Sequence, residues 1–198
     1  MKKFPWGKVL LGAAVLIIGG GLLVGDYFVS FALKRGNGMK KLEDGMVLYH
    51  GSYCVVENPD LKKCALYKDF GQGFYLTTSK EQAKLFAKIS ASKAKAKGTI
   101  SHSEKFAYIS FFKVAGLENL RTFDFETADV DWLHCIVSHR RNGAFTEIRA
   151  SMQEYDVISG KIANDDTNAM ILAYMGNVFG AMGSEQADKM CIGVVYER

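Results

Sequence analysis

The chain has 198 residues, 48% hydrophobic and 23% charged, which is enough for one ordinary core plus an appendage and excludes a disordered or fibrous protein. The net charge of +4 is uneven. Residues 1–41 hold seven Lys or Arg against Asp26 alone, and the remainder holds 18 basic and 20 acidic residues. The domain itself therefore lacks the positive excess that a nucleic-acid backbone would require.

In chain order the first element is apolar. Val9 to Gly25 is an uncharged run of 17 residues between Lys8 and Asp26. As a helix it would be roughly 25 Å long, a little under the roughly 30 Å hydrocarbon layer, and YFVSFAL after Asp26 can extend it. We read residues 1–33 as a single-pass membrane anchor, with residues 9–33 in the bilayer; a cleaved signal segment releasing a secreted domain is the alternative. Basic residues on both flanks leave the orientation open. Residues 34–45, KRGNGMKKLEDG, are polar and glycine-punctuated and read as a linker.

The domain spans 46–198. MVLYH reads as a short strand and the stretch around Pro59 as a loop. Ser79 and Gln82 have capping-box spacing for a helix running to Gly98, with Ala83, Phe86, Ala87 and Ser90 at helical intervals. Phe106–Val114, rich in aromatics, reads as a central strand. Asp129 is placed to cap a helix that turns Trp132, Leu133, Ile136 and Val137 inward and ends near Asn142-Gly143. Residues 155–159 read as a strand, and Asp166 as the start of a helix reaching about Phe179. The mixed order predicts an α+β domain rather than a doubly wound sheet.

Cys54, Cys64, Cys135 and Cys191 lack paired CxxC spacing and read as buried free thiols, and His134-Cys135 has no second ligand pair, so no metal is assigned. Asp69-Phe70-Gly71 matches a kinase tripeptide without the other kinase segments. The Lys93, Lys95 and Lys97 cluster reads as a solvated helix end. Taken singly, His50 is a semi-buried structural histidine, Phe74 and Tyr75 are strand core, and Phe86 is helix core.

Together these residues form a pattern. Tyr49-His50-Gly51-Ser52 on a first strand, followed by Asp69 to Thr78 (DFGQGFYLTT) leading into a helix, resembles the histidine-tyrosine-glutamate branch of the ADP-ribosyltransferases. The likeness is stronger to a family of uncharacterised bacterial proteins of that fold. It extends through Gln82-Ala83, Trp132-Leu133 with Arg140, Tyr155-Asp156 with Gly160, and Ala163 to Asp165, over residues 46 to about 170.

The resemblance implies a split β-sheet core with flanking helices. It also implies NAD as ADP-ribose donor and an acceptor that is unknown, a protein being the expectation. His50 and Tyr75 would be catalytic, with His50, Gly51, Ser52, Gly73, Tyr75 and Phe86 binding the dinucleotide. His50 would meet a ribose hydroxyl, the Gly51 backbone would grip the nicotinamide amide in a space a side chain would obstruct, and Tyr75 and Phe86 would sandwich the ring. His50 and Tyr75 are expected to face one slot between neighbouring strands. The chain ends at Arg198, ahead of the family's late Gln-x-x-Phe segment. The domain is therefore expected to be truncated, and CIGVVYE, a strand by composition, should be a helix by resemblance. The alternative to a transferase or NAD glycohydrolase is a non-catalytic ligand-binding or partner-binding membrane module.

Overall fold

A computed structural model describes residues 14–15, 41–161, 163 and 165–196. The proposed anchor at 9–33 lies outside the described residues, save that Ala14–Val15 runs parallel to Phe74–Tyr75. Among the described residues no helix is long and apolar enough to cross a membrane.

The domain is mixed α+β, built from small two-stranded sheets and five helices. After Ala14–Val15, the strands in chain order are β1 (Val47–Ser52), β2 (Phe74–Tyr75), β3 (Tyr108–Lys113), β4 (Thr122–Asp124) and β5 (Val157–Ser159). The helices are α1 (Lys80–Ala96), α2 (Val130–Arg140), α3 (Thr146–Met152), α4 (Asp165–Met175) and α5 (Glu185–Tyr196). β1 pairs antiparallel with β3, with His50 opposite Ser110, and β4 pairs in parallel with β5.

Helix α1 starts where Ser79 Oγ accepts from Gln82 N at 3.2 Å and stops before Gly98, whose φ is +69°. The Gln82 side chain does not return to Ser79, as a full capping box would require. Thr77 Oγ1 donates to it, and the same hydroxyl accepts the Ser79 N–H at 3.0 Å. The buried stripe of α1 is Ala83, Ala87, Ala91 and Ala94, and such small residues let the helix lie close against β1. Phe86, expected on that stripe, is only half-buried.

Asp129 caps α2 by accepting from Trp132 N at 3.0 Å. Trp132, Leu133, Ile136 and Val137 are essentially buried at the centre of the larger core, with Ile171 and Tyr174 of α4 and Cys191 of α5. Each such side chain contributes on the order of 1.5–3 kcal/mol through burial. A smaller core of Leu48, Phe74, Leu76, Phe112 and Val114 fills the other side of β1.

Several expectations change. Among the described residues β3 pairs with β1 only, and its Phe111 is 73% exposed, so it is not a central strand. The C-terminal CIGVVYE lies largely in α5: Ala187, Asp188 and Cys191 recur at helical spacing on its buried face, and Ser184 Oγ accepts from Ala187 N at 3.3 Å. Packing against α4 therefore overrides the strand propensity of Ile192, Val194 and Val195. Helix α3 has no sequence signal at its start, because Phe145 precedes it in the left-handed region (φ 44°) without a side-chain cap.

One buried ion pair ties the turn before β2 to α2 and α4. Asp69, 1% exposed, accepts from Arg140 Nε at 2.8 Å and from Nη2, and Arg140 Nη1 donates to Asn168 at 2.5 Å. Burial raises the Asp69 pKa above its ordinary value, and the Arg140 guanidinium opposes this only in part. Its second oxygen has no hydrogen bond of ordinary geometry among the described residues, although the Ala163 N–H is directed at the carboxylate.

Removing one member of such a pair strands the other charge, so Asp69→Leu and Arg140→Met should each cost about 3–5 kcal/mol. Chemical denaturation should show the double variant closer to wild type than the sum of the two. Additive losses would mean that the pair is not a unit.

Candidate functional site

The site begins as a failure of strand pairing. Tyr49 exchanges both backbone hydrogen bonds with Thr77, at 2.8 and 2.9 Å, as an antiparallel bridge. The bridge does not extend to Gly51 and Tyr75. Instead the Tyr75 carbonyl is taken by His50 Nδ1 at 2.8 Å. Backbone groups alternate edges along a strand, so the Gly51 N–H and C=O face the same edge as those of Tyr49, into the resulting gap.

A carbonyl can only accept, so His50 Nδ1 carries the proton in that bond. Burial lowers the His50 pKa below its ordinary value, and the Tyr75 carbonyl opposes this only incompletely. The imidazole is therefore neutral near pH 7 and leaves Nε2 as a lone-pair acceptor. Burial is the dominant cause, and no carboxylate among the described residues contributes to the shift.

Tyr75 is held differently. Its hydroxyl donates to the Gly71 carbonyl at 2.7 Å and accepts the Phe70 N–H at 3.3 Å, and burial raises its pKa so that it stays protonated. The glycine-rich turn thus wraps round the phenol. Gly71, at φ +87°, also lies over His139: a Cβ there would meet the imidazole Cδ2 at 2.7 Å. No larger residue suits that position.

The imidazole and phenol, expected to face one slot, pack on different neighbours. His50 alternates with Leu48 and lies against Phe74, ring centroids 4.4 Å apart, while Tyr75, next after Phe74, turns to the larger core. They meet at the split between the strands. His50, Gly51, Ser52, Gly73, Tyr75 and Phe86 all line one cavity of about 610 Å³ there, within the usual range of about 300–1,000 Å³ for ligand pockets. His50 brings a polar group to the cavity, and Tyr75 and Phe86 belong to an aromatic lining that also includes Tyr49, Tyr53 and Phe74.

Gly51 is also needed for packing. A Cβ on it would come within 2.0 Å of the Ala83 carbonyl oxygen and 2.6 Å of Ala87 N, both backbone atoms of α1. Its missing side chain admits the helix. Ser52, 7% exposed, is a wall residue whose Oγ lies 3.9 Å from Cys54 Sγ.

Sequence reasoning missed the outer wall, the loop from Tyr53 to Lys68. It is fastened by Tyr53 N donating to Ser90 Oγ (3.2 Å), Val56 N to Ser110 Oγ (2.9 Å) and Gln72 Nε2 to the Cys64 carbonyl (3.0 Å). Cys54 and Cys64 are free thiols at this wall, half-buried rather than in the core, whereas Cys135 and Cys191 are buried. These anchors join residues far apart in sequence, and no local spacing announces them. His134, considered as a metal ligand, instead lies 3.0 Å from Asp188 Oδ1 and 3.1 Å from the Tyr174 hydroxyl and stacks on Phe145.

Residues 46–194 match the family described as Protein of unknown function (DUF3990). The chain belongs to that family. No curated protein and no solved structure matches it. Several of its motif residues are structural: Trp132 Nε1 donates to the Lys161 carbonyl at 3.2 Å, Asp156 accepts the Arg121 N–H at 2.9 Å, and a Cβ on Gly160 would strike Phe70 at 2.6 Å.

Gly51→Ala should displace α1 and cost about 1–3 kcal/mol as overpacking. Gly193→Ala, with open space around its would-be Cβ, is the matched control and should be neutral or slightly stabilising. Thermal melts compare them, and equal melting temperatures would refute the close approach.

Proposed function

We propose that this chain is a membrane-tethered, NAD-binding protein of ADP-ribosyltransferase-like fold that transfers ADP-ribose to an acceptor, a protein by expectation, or hydrolyses NAD. The observation that carries the proposal is the convergence of His50, Gly51, Ser52, Gly73, Tyr75 and Phe86 on one cavity, with His50 Nδ1 tied to the Tyr75 carbonyl. The anchor at residues 9–33 rests on the sequence alone, and the pairing of Ala14–Val15 with Phe74–Tyr75 does not support it.

In this reading His50 Nε2 accepts a hydrogen bond from a ribose hydroxyl of NAD. The Gly51 N–H and C=O, turned into the gap, pair with the carboxamide of the nicotinamide. Tyr75 and Phe86 flank the ring. The bond broken is the glycosidic C–N bond, and its electron pair departs with nicotinamide. The positive charge that develops on the ribose is quenched by an acceptor nucleophile or by water, which then loses its proton.

A non-catalytic NAD-binding module is the second reading. It is favoured by the state of the acids that line the cavity, since an oxocarbenium-like state is best stabilised by nearby negative charge: Asp60 is taken by the Lys62 N–H and Lys63, and Glu57 is exposed.

Purified protein incubated with adenylate-labelled NAD and cell lysate should release nicotinamide or label a protein. His50→Ala should weaken NAD binding at least about tenfold, the cost of losing a well-made polar contact. Binding without turnover would select the second reading, and neither binding nor turnover would end both.

A further inference from the structure

The same cavity has a second end that the resemblance does not assign. Helix α1 presents Phe86, Ser90 and Lys93 to it in succession. Lys93 is seven residues beyond Phe86, roughly 10 Å along the helix axis at the usual rise. From the other wall comes Lys68, half-buried, whose neighbour Asp69 is already committed to Arg140.

Neither ammonium forms an ion pair among the described residues. Of the two carboxylates at the cavity, Asp60 caps Lys62 N at 3.0 Å and lies 3.9 Å from Lys63 Nζ, and Glu57 is exposed. Lys68, half-buried, and Lys93, at the exposed rim, both line the cavity; burial lowers the Lys68 pKa first and the charge of Lys93 adds to that, while Asp69 opposes it. Lys93 alone would be explained by the negative pole of α1, because cations are favoured in a last turn. That explanation does not extend to Lys68, which belongs to a loop and converges on the same space.

We propose that Lys68 and Lys93 form an anion subsite for the pyrophosphate of a dinucleotide whose ring lies between Tyr75 and Phe86. This rests on the NAD reading for the ligand's other end, not for the subsite itself. An anion between the two ammoniums would relieve their repulsion and take the place of the carboxylate partner each lacks. The spacing along α1 leaves room for the ribose that separates ring from phosphate.

The test is calorimetry on the full chain with nicotinamide, ADP-ribose and inorganic pyrophosphate as separate probes. Lys68→Met and Lys93→Met should each weaken ADP-ribose and pyrophosphate roughly tenfold and leave nicotinamide unchanged, as expected for loss of one charged contact. Lys68→Arg should retain most of the affinity, and thermal melts should show every variant folded. Unchanged ADP-ribose binding in the double Met variant would overturn the subsite. So would nicotinamide binding in the wild type without any binding of ADP-ribose or pyrophosphate, an outcome that leaves the ring site standing. Lysine-dependent pyrophosphate binding without any nicotinamide or NAD binding would support the subsite and overturn the NAD reading.

Discussion

The buried Asp69–Arg140 pair is the constraint from which the site follows. It fastens the turn before β2 to the end of α2 and, through Asn168, to α4. With that turn fixed, Gly71 lies over His139, its carbonyl holds the Tyr75 hydroxyl, and Phe70 enters the larger core against Gly160. β2 is thereby pulled toward the helices just where β1 packs on α1. The two strands agree at Tyr49 and Thr77 and diverge by Gly51 and Tyr75, so the cavity is the space between two competing allegiances.

This explains the division of labour among the residues that the sequence singles out. Asp69, Gly71, Trp132, Arg140, Asp156 and Gly160 hold the frame, and His50, Tyr75 and Phe86 line the space that it creates. A buried pair of this kind is weak evidence for stability in itself, because desolvation offsets most of its attraction. Its value here is geometric: it fixes a glycine-rich turn that would otherwise have many conformations.

Much of this was legible in the sequence, and unevenly. Capped helices were clear: Ser79 and Asp129 act as N-caps where their spacing indicated, because capping is a local interaction. The residues gathered at the cavity were also legible through their motif. What local pattern could not give was decided by tertiary contacts. Phe86 reaches the cavity wall, Gly51 admits the close approach of α1, β3 exposes Phe111, and α5 takes a β-branched segment into a helix. The orientation of His50 and Tyr75 belongs to the same class. Alternation sets them on different faces, and only the divergence of the strands returns them to one space.

The central claim is chemical: a neutral His50 spends its Nδ1 proton on the Tyr75 carbonyl and keeps Nε2 free to accept. Nitrogen-15 NMR of the histidine rings, recorded near neutral pH with and without NAD, tests it directly. His50 should be the neutral Nδ1–H tautomer, and its Nε2 resonance should move when NAD is added, while those of His102 and His139 do not. A proton on His50 Nε2, or a His50 spectrum indifferent to NAD, would contradict it.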